Sequence, residues 1–552
     1  MKVRKWFLLL LMFVLGSISA MGGSVQAAQT SPGISIFLDG QQIKSDVAPY
    51  IIPKVNVTMV PLRVISESLG AEVYWDQNLQ TATILKENTV LSMVINQKYA
   101  FVNDSSIPLD ASVENKQGRV MVPLRFVSEQ LGLQVNWEQT TRTITLLTGS
   151  VAVTPPTPPQ DIIGGGTNGS VTTPNDNSNV PIPPVNTANG LRGVWVSTVY
   201  NLDWPSTGSY GNQAKQQQEY IQLLNELQTM GMNAVFVQVR PSADALYPSS
   251  LVPWSKYLTG TQGKDPGYDP LAFMVEETHK RGMQFHAWFN PFRANVDAKT
   301  DQLAASHVVK KHPEWIVNSS NKLYINPGIP QARQAIIAEI TEVVQRYDVD
   351  GVHLDDYFYP SNGIFNDETT FKTYNSKNIP TKADWRRDNI NLFVQQLNQS
   401  IKNTKPHVQF GISPFGVWRN IAVDKSGSDT KAGVTAYDNM YADVRTWIKQ
   451  GWMDYVTPQI YWSLSFAPAQ YDKLVTWWSS EVRGTNVKLY IGHSPYKLGT
   501  TEAGWQNSQE IINQLDYNAQ HPEVQGSVFF SAKDLRKNPL GLLQALSSYY
   551  NR

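Results

Sequence analysis

Apolar and polar positions along residues 191–552 follow two alternating patterns. Short apolar runs typical of strands are separated by stretches in which apolar residues recur at helical spacing. This succession predicts an α/β fold, and eight strand-like runs predict a (β/α)8 TIM barrel. A doubly wound sheet is the alternative, but no glycine-rich phosphate loop follows the first run. The eight runs are LRGVWVSTV, NAVFVQVR, MQFHAWFN, DGVHLDDY, VQFGISPF, DYVTPQIYW, KLYIGHS and VQGSVFFSA.

The connections between these runs differ in length. Connections from helix to strand are tight, as in TMGMN, KRGMQ and KQGWMD, whereas those from strand to helix are long, notably Pro291 to Ile329 and Phe358 to Thr381. Barrels of this kind carry their functional sites on elaborated loops at the C-terminal ends of the strands. The sequence therefore predicts a functional cleft at that end of the barrel.

Side chains alternate between the two faces of a strand, so each run divides into an inward and an outward set. In DGVHLDDY, we expect Val352 and Leu354 to face the helices, and Gly351, His353 and Asp355 to face the barrel interior. Unpaired buried polar groups cost about 1–3 kcal/mol each, so a polar interior indicates a functional cleft. The inward residues predicted on other strands are Gln238, Arg240, Gln284, His286, Trp288, Asn290, Thr457, Gln459 and Tyr461.

An internal repeat precedes the barrel segment. The stretch TMVPLRVISESLGAEVYWD, residues 58–76, recurs as VMVPLRFVSEQLGLQVNWE, residues 120–138. Each copy predicts a strand, a short helix that begins near Pro61 or Pro123, and a second strand that ends at a tryptophan. Two such βαβ-type units predict one small α+β domain over residues 33–148.

The repeated pattern M-V-P-L-R…E-x-L-G…W resembles the copper amine oxidase N-terminal-like domain. This part of the chain has no histidine, so neither copper nor another imidazole-bound metal is expected. The resemblance implies attachment to the cell envelope, and a spacer without a ligand is the alternative. Residues 149–190 are rich in Pro, Gly, Ser, Thr and Asn with almost no charge, which predicts a linker to the barrel.

The N-terminus has the features of a secretory signal. Lys2, Arg4 and Lys5 precede an apolar run, small residues follow, and Val-Gln-Ala at the end of residues 1–27 forms a cleavage site. An uncleaved membrane anchor is the alternative. We therefore expect a secreted or cell-envelope-associated protein.

Composition removes several classes of function. The chain has 46 basic and 46 acidic residues, so no net charge indicates a nucleic-acid partner. It has no cysteine, which excludes disulfides and thiol catalysis. Thirteen of the 16 tryptophans lie beyond residue 190. Aromatic rings beside Asp, Asn, Arg and Gln suit a sugar, because a pyranose has apolar faces and hydroxyl edges.

Seven motifs, in the order of the barrel strands, resemble the glycosyl hydrolase-like family 10 across residues 190–550. They are RGVWVSTVYNLDWP, FVQVRPSADALYPS, FHAWFNPFR, DGVHLDDYFYP, GISPFGVWRN, VTPQIYW and IGHSPY. The resemblance implies a TIM-barrel glycan hydrolase, in a family with a branch that acts on peptidoglycan strands stripped of their peptides. It makes Asp355 and Asp356 the best catalytic candidates. It implies substrate contacts at Arg240, Asp244, Asn290, Arg293, Gln459, Tyr461 and His493, to which strand parity and aromatic character add Trp288, His353, Tyr357 and Trp418.

Glycoside hydrolysis normally needs two carboxyl groups, about 5–5.5 Å apart for retention and 6.5–9.5 Å apart for inversion of configuration. Asp355 points inward by parity and is the first choice. Asp356 begins on the opposite face of the strand, so it is either the partner or a residue that orients neighbouring groups. Asp203, Asp244 and Glu314 are the other candidates for the second carboxyl group.

Three alternatives stay open. DGVHLDDY can be aligned with the D-G-x-D-x-D-x-E pattern of family 18 glycosidases, but His353 replaces an acid and Tyr357 replaces the acid/base glutamate. Assistance by an N-acetyl group of the substrate remains possible there. A metal site built from His286, His353 and His493 with Asp355 is a second alternative, although the sequence predicts neither metal nor cofactor. The third is a protein without catalytic activity, either an envelope protein that binds glycans or a structural surface-layer or spore protein.

Overall fold

The computed structural model describes two parts of the chain. They are residues 34–148, except 54, 56, 77–79, 87–88, 103–104, 132 and 139–140, and residues 190–550, except 357 and 362. Each part belongs to its own compact unit. The predicted signal peptide, almost all of the predicted linker and Tyr357 lie outside the described residues and stay predictions. In the described parts, no helix has the length and apolar character needed to cross a membrane.

The first unit is a small strand-rich domain. Its helices Leu62–Ser68 and Leu124–Gln130 begin directly after Pro61 and Pro123, as the repeat predicts. The strands before them pair antiparallel with each other, with Val60 opposite Val122, so the two copies meet at equivalent strands. The strands before and after each helix belong to different sheets, so neither copy forms a βαβ unit within one sheet.

The described strands of this unit form three sheets. One contains Ser35–Leu38, Gln41–Ile43, Leu133–Glu138 and Thr143–Thr148. The second contains Tyr50–Ile52, Val57–Pro61, Glu114–Lys116 and Arg119–Pro123. The third contains Glu72–Asp76, Thr81–Lys86, Thr89–Val94, Tyr99–Val102 and Ser105–Pro108.

The second unit is a closed barrel of eight strands within residues 190–550, all paired in parallel, and this confirms the predicted (β/α)8 fold. The strands are β1 Leu191–Val196, β2 Ala234–Arg240, β3 Gln284–Phe289, β4 Gly351–Leu354, β5 Gln409–Ile412, β6 Tyr455–Val456, β7 Lys488–His493 and β8 Val524–Phe529. The helices that follow them in turn are α1 Gln213–Thr229, α2 Pro270–His279, α3 Pro330–Arg346, α4 Lys382–Thr404, α5 Val444–Gln450, α6 Tyr471–Val482, α7 Gln509–Asn518 and α8 Leu542–Tyr550.

The long connections after the strands carry elements of their own. The connection between β3 and α3 holds a three-stranded antiparallel sheet of Arg293–Asn295, Ile316–Ser319 and Lys322–Ile325. Short α-helices lie at Lys256–Thr259, Val308–Lys311, Glu368–Tyr374, Ala436–Asn439 and Ala532–Arg536. Short 3₁₀ helices lie at Val199–Asn201, Thr207–Ser209, Pro313–Trp315, Ala467–Ala469, Pro495–Lys497 and Pro539–Gly541.

Local chemistry explains where several barrel helices begin. The side chains of Asn212, Asp269, Thr381 and Asp443 each accept a hydrogen bond from a backbone N–H in the first turn of α1, α2, α4 and α5. Such caps satisfy amides that have no partner inside the helix, and each contributes about 1 kcal/mol. Helix α5 ends at Gly451, whose φ of 63° suits glycine.

The two faces of the strands are occupied as parity predicts on most strands. Val352 and Leu354 lie in the large apolar cluster between the strands and the helices. Trp195, Phe236 and Tyr455 lie in a separate cluster inside the barrel. The barrel is therefore filled by rings at its centre, and only its end remains for a polar site.

Glycines on neighbouring strands make room for these rings. A Cβ atom at Gly351 would lie 2.2 Å from Nδ1 of His286, and one at Gly411 would lie 2.0 Å from the ring of Tyr455. Both distances are far below van der Waals contact, so no other residue fits while the rings stay in place.

Candidate active site

Asp355 follows β4 directly and is partly exposed at the C-terminal end of the barrel. Its Oδ2 atom accepts a hydrogen bond of 2.9 Å from Nδ2 of Asn290, which follows β3. Its Oδ1 atom accepts 2.9 Å from the backbone N–H of Asp356 and 3.5 Å from Nε2 of Gln459, which also donates to the Ser413 carbonyl. Three donors converge on this carboxyl group. They hold it in one orientation, which a nucleophile or a base requires.

Asp356 lies in a contrasting environment. Its side chain is 1% exposed, and its oxygens lie near the Asp355 carboxyl group and the Gln459 amide but make no hydrogen bond of ordinary geometry among the described residues. Burial, reinforced by the negative charge of Asp355, raises the pKa of Asp356 well above its usual value. The raised pKa favours the protonated form of Asp356, but its burial keeps it from direct contact with a bound ligand in this conformation.

Tyr461 lies near this pair. Burial raises the pKa of Tyr461 well above its usual value, and the charges of Asp355 and Asp356 raise it further. Its ring stacks on Phe530 with centroids 6.2 Å apart. The structure therefore brings together four predicted site residues at the C-terminal end of the barrel, namely Asp355, Asn290, Gln459 and Tyr461. Trp288 lies inside the barrel, as parity predicts.

Arg240 does not face the barrel interior, so its predicted orientation is wrong. Gln238 pairs with Trp288, but the next pairing is Arg240 with Phe289, so a bulge at Val239 adds one residue to β2. The extra residue reverses the parity that follows it. Arg240 is fully buried and forms an ion pair with Glu339 of α3, with 2.5 Å between Nε and Oε2. Its role as a substrate contact stays a prediction without support from this position.

His353 and His493 are buried on different faces. His353 lies in the barrel interior, where Nε2 accepts a hydrogen bond of 3.1 Å from Nε1 of Trp195 and lies 3.0 Å from Oγ of Ser413. Because the indole N–H only donates, His353 is neutral with its proton on Nδ1. His493 faces the helices and bonds to Oε1 of Gln514 on α7. Neither ring reaches the surface near Asp355, so their substrate contacts stay predictions.

The metal-site alternative requires three histidines in one place. His286 and His353 share the hydroxyl group of Tyr455, at 3.0 Å and 3.2 Å from their Nδ1 atoms. His493 lies on the other side of the barrel wall, against α7. The described residues contain no group of three His, Cys, Asp or Glu side chains that could hold a metal ion. The histidines therefore support the barrel wall and interior and do not form one ligand set.

The other predicted substrate contacts are largely buried. Asp244 accepts bonds from the Ser242 amide at 3.1 Å and from Gln262 at 3.4 Å, and burial raises its pKa to about 6. Arg293 is buried in the first strand of the three-stranded sheet. Trp418 stacks on Trp477 of α6 with centroids 5.8 Å apart. Together with Tyr357, which lies outside the described residues, they remain predictions.

Two further candidates for the second carboxyl group differ in accessibility. Asp203 is partly exposed. It accepts hydrogen bonds of 2.6–2.8 Å from the Ser197 amide, the Ser531 hydroxyl and the Lys533 amide. These bonds join the loops after β1 and β8. Burial raises the pKa of Asp203 to about 6. Glu314 is exposed and bonds to His312. A pKa of about 6 suits an acid catalyst. The three hydrogen bonds of Asp203 equally suit a structural role that joins the two loops.

A cavity of about 500 Å³ lies at the opposite, N-terminal end of the barrel. None of the predicted site residues borders it. Its polar lining includes Arg192, Gln284, Gln409, Lys488 and Gln525. The cavity is therefore separate from the carboxyl groups described above.

The buried histidines predict a specific dependence of stability on pH. Burial lowers the pKa of His493 to about 4, below the value of about 6.5 expected in the unfolded chain. The unfolded chain therefore binds more protons between these values, so the stability from neutral His493 is complete above pH 6.5 and is lost as pH falls toward 4. Asp203 and Asp244 have raised pKa values, so their contribution to the stability of the fold decreases as pH rises.

The effect is consequently measured as a difference between variants. From pH 7 to pH 5, we expect the melting temperature of His493→Gln to fall less than that of the wild type. His407→Gln, at an exposed position, is the matched control and should follow the wild type. Equal pH dependence in His493→Gln and the wild type would show that His493 is not held neutral by burial.

A closed (β/α)8 barrel that holds Asp355 between amide donors at the C-terminal end of β4, beside Asp356 and aromatic rings, suits a glycoside hydrolase. The chain belongs to the glycosyl hydrolase-like 10 family, whose model matches residues 190–510. A second model, the copper amine oxidase N-terminal domain, matches residues 37–146. Both resemblances predicted from the motifs are thereby confirmed, and the protein is a glycoside hydrolase.

Curated relatives agree with this family. The chain is 53% identical to glycosyl hydrolase YngK of Bacillus subtilis (strain 168), over 65% of this chain and 71% of that protein. It is 42% identical to glycosyl hydrolase DigH of Escherichia coli (strain K12), over 67% of this chain and 89% of that protein. Among solved structures, the PgaB (BpsB) glycoside hydrolase domain from Bordetella bronchiseptica aligns with a TM-score of 0.41 at 11% identity, over 65% of this chain and 98% of that one. That likeness is too distant to inform the chemistry.

Proposed function

We propose that this protein is secreted and hydrolyses glycosidic bonds of a cell-envelope glycan, with peptide-free peptidoglycan strands as the substrate. The observation that carries the proposal is the Asp355 carboxylate, which receives three donors at the C-terminal end of β4. The leader-like N-terminus and the N-terminal module support an extracellular location at the envelope. The family resemblance supports a peptidoglycan strand as the glycan.

Asp355 acts as the nucleophile or the base in this proposal. As an anion it either attacks the anomeric carbon or removes a proton from the attacking water. The other half of the reaction needs a proton donor to the leaving oxygen. Burial raises the pKa of Asp203 to about 6 and that of Asp356 well above its usual value, so these two groups are the donor candidates, and Asp356 must become exposed before it can act.

The N-terminal module attaches the enzyme to the envelope in this proposal and contributes no chemistry. It contains no histidine or cysteine, so neither imidazole nor thiolate is available to hold copper. Such attachment could use the apolar surface of three exposed side chains, those of Val55, Tyr74 and Leu147. Removal of the module should therefore change retention on cell walls more than turnover of soluble glycan.

A non-catalytic glycan-binding protein is the second candidate. The burial of Asp356, the nearest second carboxyl group along the chain, is the observation that favours it. A binding protein needs no proton donor in reach of its ligand, whereas hydrolysis does.

A substrate panel separates the two candidates. The full chain is incubated with intact peptidoglycan, peptide-free glycan strands, chitin and an α-glucan, and products are followed by reducing-end assay and mass spectrometry. We expect fragments from the peptide-free strands and fewer or none from the others. Binding to these strands without release of reducing ends would favour the second candidate. Preferential cleavage of chitin or α-glucan would contradict the proposed substrate.

A further inference from the structure

Gln238 of β2 is fully buried beneath the site, and its amide group can adopt only one orientation. Its Oε1 atom accepts hydrogen bonds from the backbone N–H groups of Thr198 and Val199, at 3.0 Å and 2.8 Å, and from the Ser197 hydroxyl at 3.2 Å. A backbone N–H can only donate, so the oxygen of Gln238 must face this loop. The amide nitrogen must therefore face the opposite direction.

This orientation is transmitted to Asn290. Nε2 of Gln238 donates to Oδ1 of Asn290 at 2.5 Å, so the oxygen of Asn290 is the acceptor on that side. Nδ2 of Asn290 must then face Oδ2 of Asp355, at 2.9 Å. Reversing either amide would place two donors or two acceptors against each other in a buried site. The backbone of the loop after β1 thus determines that Asp355 meets an N–H group.

We infer that Gln238 is a positioning residue that, through Asn290, holds an N–H donor against Oδ2 of Asp355 and so fixes the orientation of this carboxyl group. The inference rests on the proposed function, because it gives a purpose to the fixed orientation of Asp355. Asp355 receives three donors, and the Gln238–Asn290 relay fixes the one at Oδ2.

The relay is distinct from the groups that would touch a ligand. Gln238 is covered by Ser197, Thr198 and Asn290, so it acts only through its neighbour. Among the described residues outside the pair, Tyr461 is a titratable group whose pKa is raised by burial and by the charges of Asp355 and Asp356, so its hydroxyl stays neutral at ordinary pH. No cation is hydrogen-bonded or ion-paired to Asp355 among the described residues, so the amide donors supply the stabilisation of its charge.

The test measures the Asp355 carboxyl group directly. The full chain is labelled with ¹³Cγ-aspartate, and the Asp355 resonance is identified by its loss in Asp355→Asn. In Gln238→Met the donor to Asn290 is lost and the Asn290 amide is free to turn. We expect the Asp355 resonance at neutral pH to move away from its wild-type chemical shift, because the donor at Oδ2 is no longer fixed.

Gln216→Met is the matched control. Gln216 of α1 is also fully buried, and it bonds to the Ser209 and Leu258 carbonyls and to the Tyr268 hydroxyl, but not to the site. We expect a comparable loss of stability and an Asp355 resonance at its wild-type chemical shift. A shift in both variants would mean that general loosening, and not the relay, controls Asp355.

Gln238→Glu provides a second variant if Gln238→Met does not fold. A carboxyl group keeps the acceptor for Thr198 and Val199, but donates to Asn290 only when it is protonated. We expect kcat to fall at high pH, with KM little changed, and to recover as pH falls and the new carboxyl group takes up its proton. A purely structural role for Gln238 would give no such recovery.

The two hypotheses fail in different ways. An unchanged Asp355 resonance in Gln238→Met and an unaltered pH profile in Gln238→Glu would overturn the relay, whatever the activity. Full activity of Asp355→Asn would overturn the catalytic role of Asp355, while the Asp355 resonance in Gln238→Met would still report on the relay.

Discussion

Asp355→Asn is expected to lower kcat/KM on the glycan by roughly 10²–10⁴-fold while glycan binding changes little. The substitution keeps the size of the side chain but removes the negative charge, and it places an amide where Asn290, Gln459 and the Asp356 N–H all donate. At least one N–H would then face another N–H or turn away. Initial rates by reducing-end assay and affinity by calorimetry separate the effect on turnover from the effect on binding.

Asp348→Asn is the control for this substitution. Asp348 is exposed and precedes β4, at the opposite end of the barrel from Asp355. The same chemical change there should leave both rate and affinity at wild-type values. If Asp355→Asn kept most of its activity while Asp203→Asn lost it, the catalytic carboxylate would have to be reassigned to the loop after β1.

Glu339→Ala is expected to have the largest effect on stability, lowering the free energy of unfolding by about 3–5 kcal/mol. Glu339 lies on α3 and is the carboxylate partner of Arg240, which is fully buried. Removing it leaves the guanidinium charge inside the protein, where only the carbonyl oxygens of Asn290 and Pro291 still bind it. Urea unfolding followed by tryptophan fluorescence reports mainly on the barrel, since thirteen of the 16 tryptophans lie beyond residue 190.

A double substitution tests the cause of this loss. Arg240→Met with Glu339→Met removes both charges and fills the space with apolar atoms, so we expect it to recover much of the stability lost in Glu339→Ala. The single variant Arg240→Met examines the substrate contact that the motif implied. Unchanged KM with reduced stability would show that Arg240 has a structural role at β2. A large rise in KM with unchanged stability would show that Arg240 binds the substrate.

Much of the fold follows from patterns that are local in the chain. The period of two in DGVHLDDY correctly separates Val352 and Leu354 from His353 and Asp355, because alternation in a strand depends only on adjacent residues. The repeated helices begin after Pro61 and Pro123 for an equally local reason. Strand order and the (β/α)8 class follow because eight units of the same kind close in one way.

The prediction of side-chain orientation from strand alternation failed where the strand itself is irregular. The bulge at Val239 exists because β2 must pair with β3 across a closing barrel, and no residue of NAVFVQVR signals it. One extra residue turned Arg240 from the interior to α3. His493 shows a related limit, since the motif IGHSPY marks the strand but not the face on which its histidine is held by Gln514.

The amino-acid sequence by itself determined the strands, the helices, the repeated module and the position of Asp355 at the end of β4, because these depend on composition and spacing over a few residues. Only the tertiary structure decided which of two adjacent carboxyl groups is held by donors at the end of the barrel and which is buried. That arrangement depends on Asn290, whose amide is oriented through Gln238 by the Thr198 N–H, and these residues lie far from Asp355 in the chain. Hydrogen bonds have direction and burial is collective, so neither can be read from the order of residues alone.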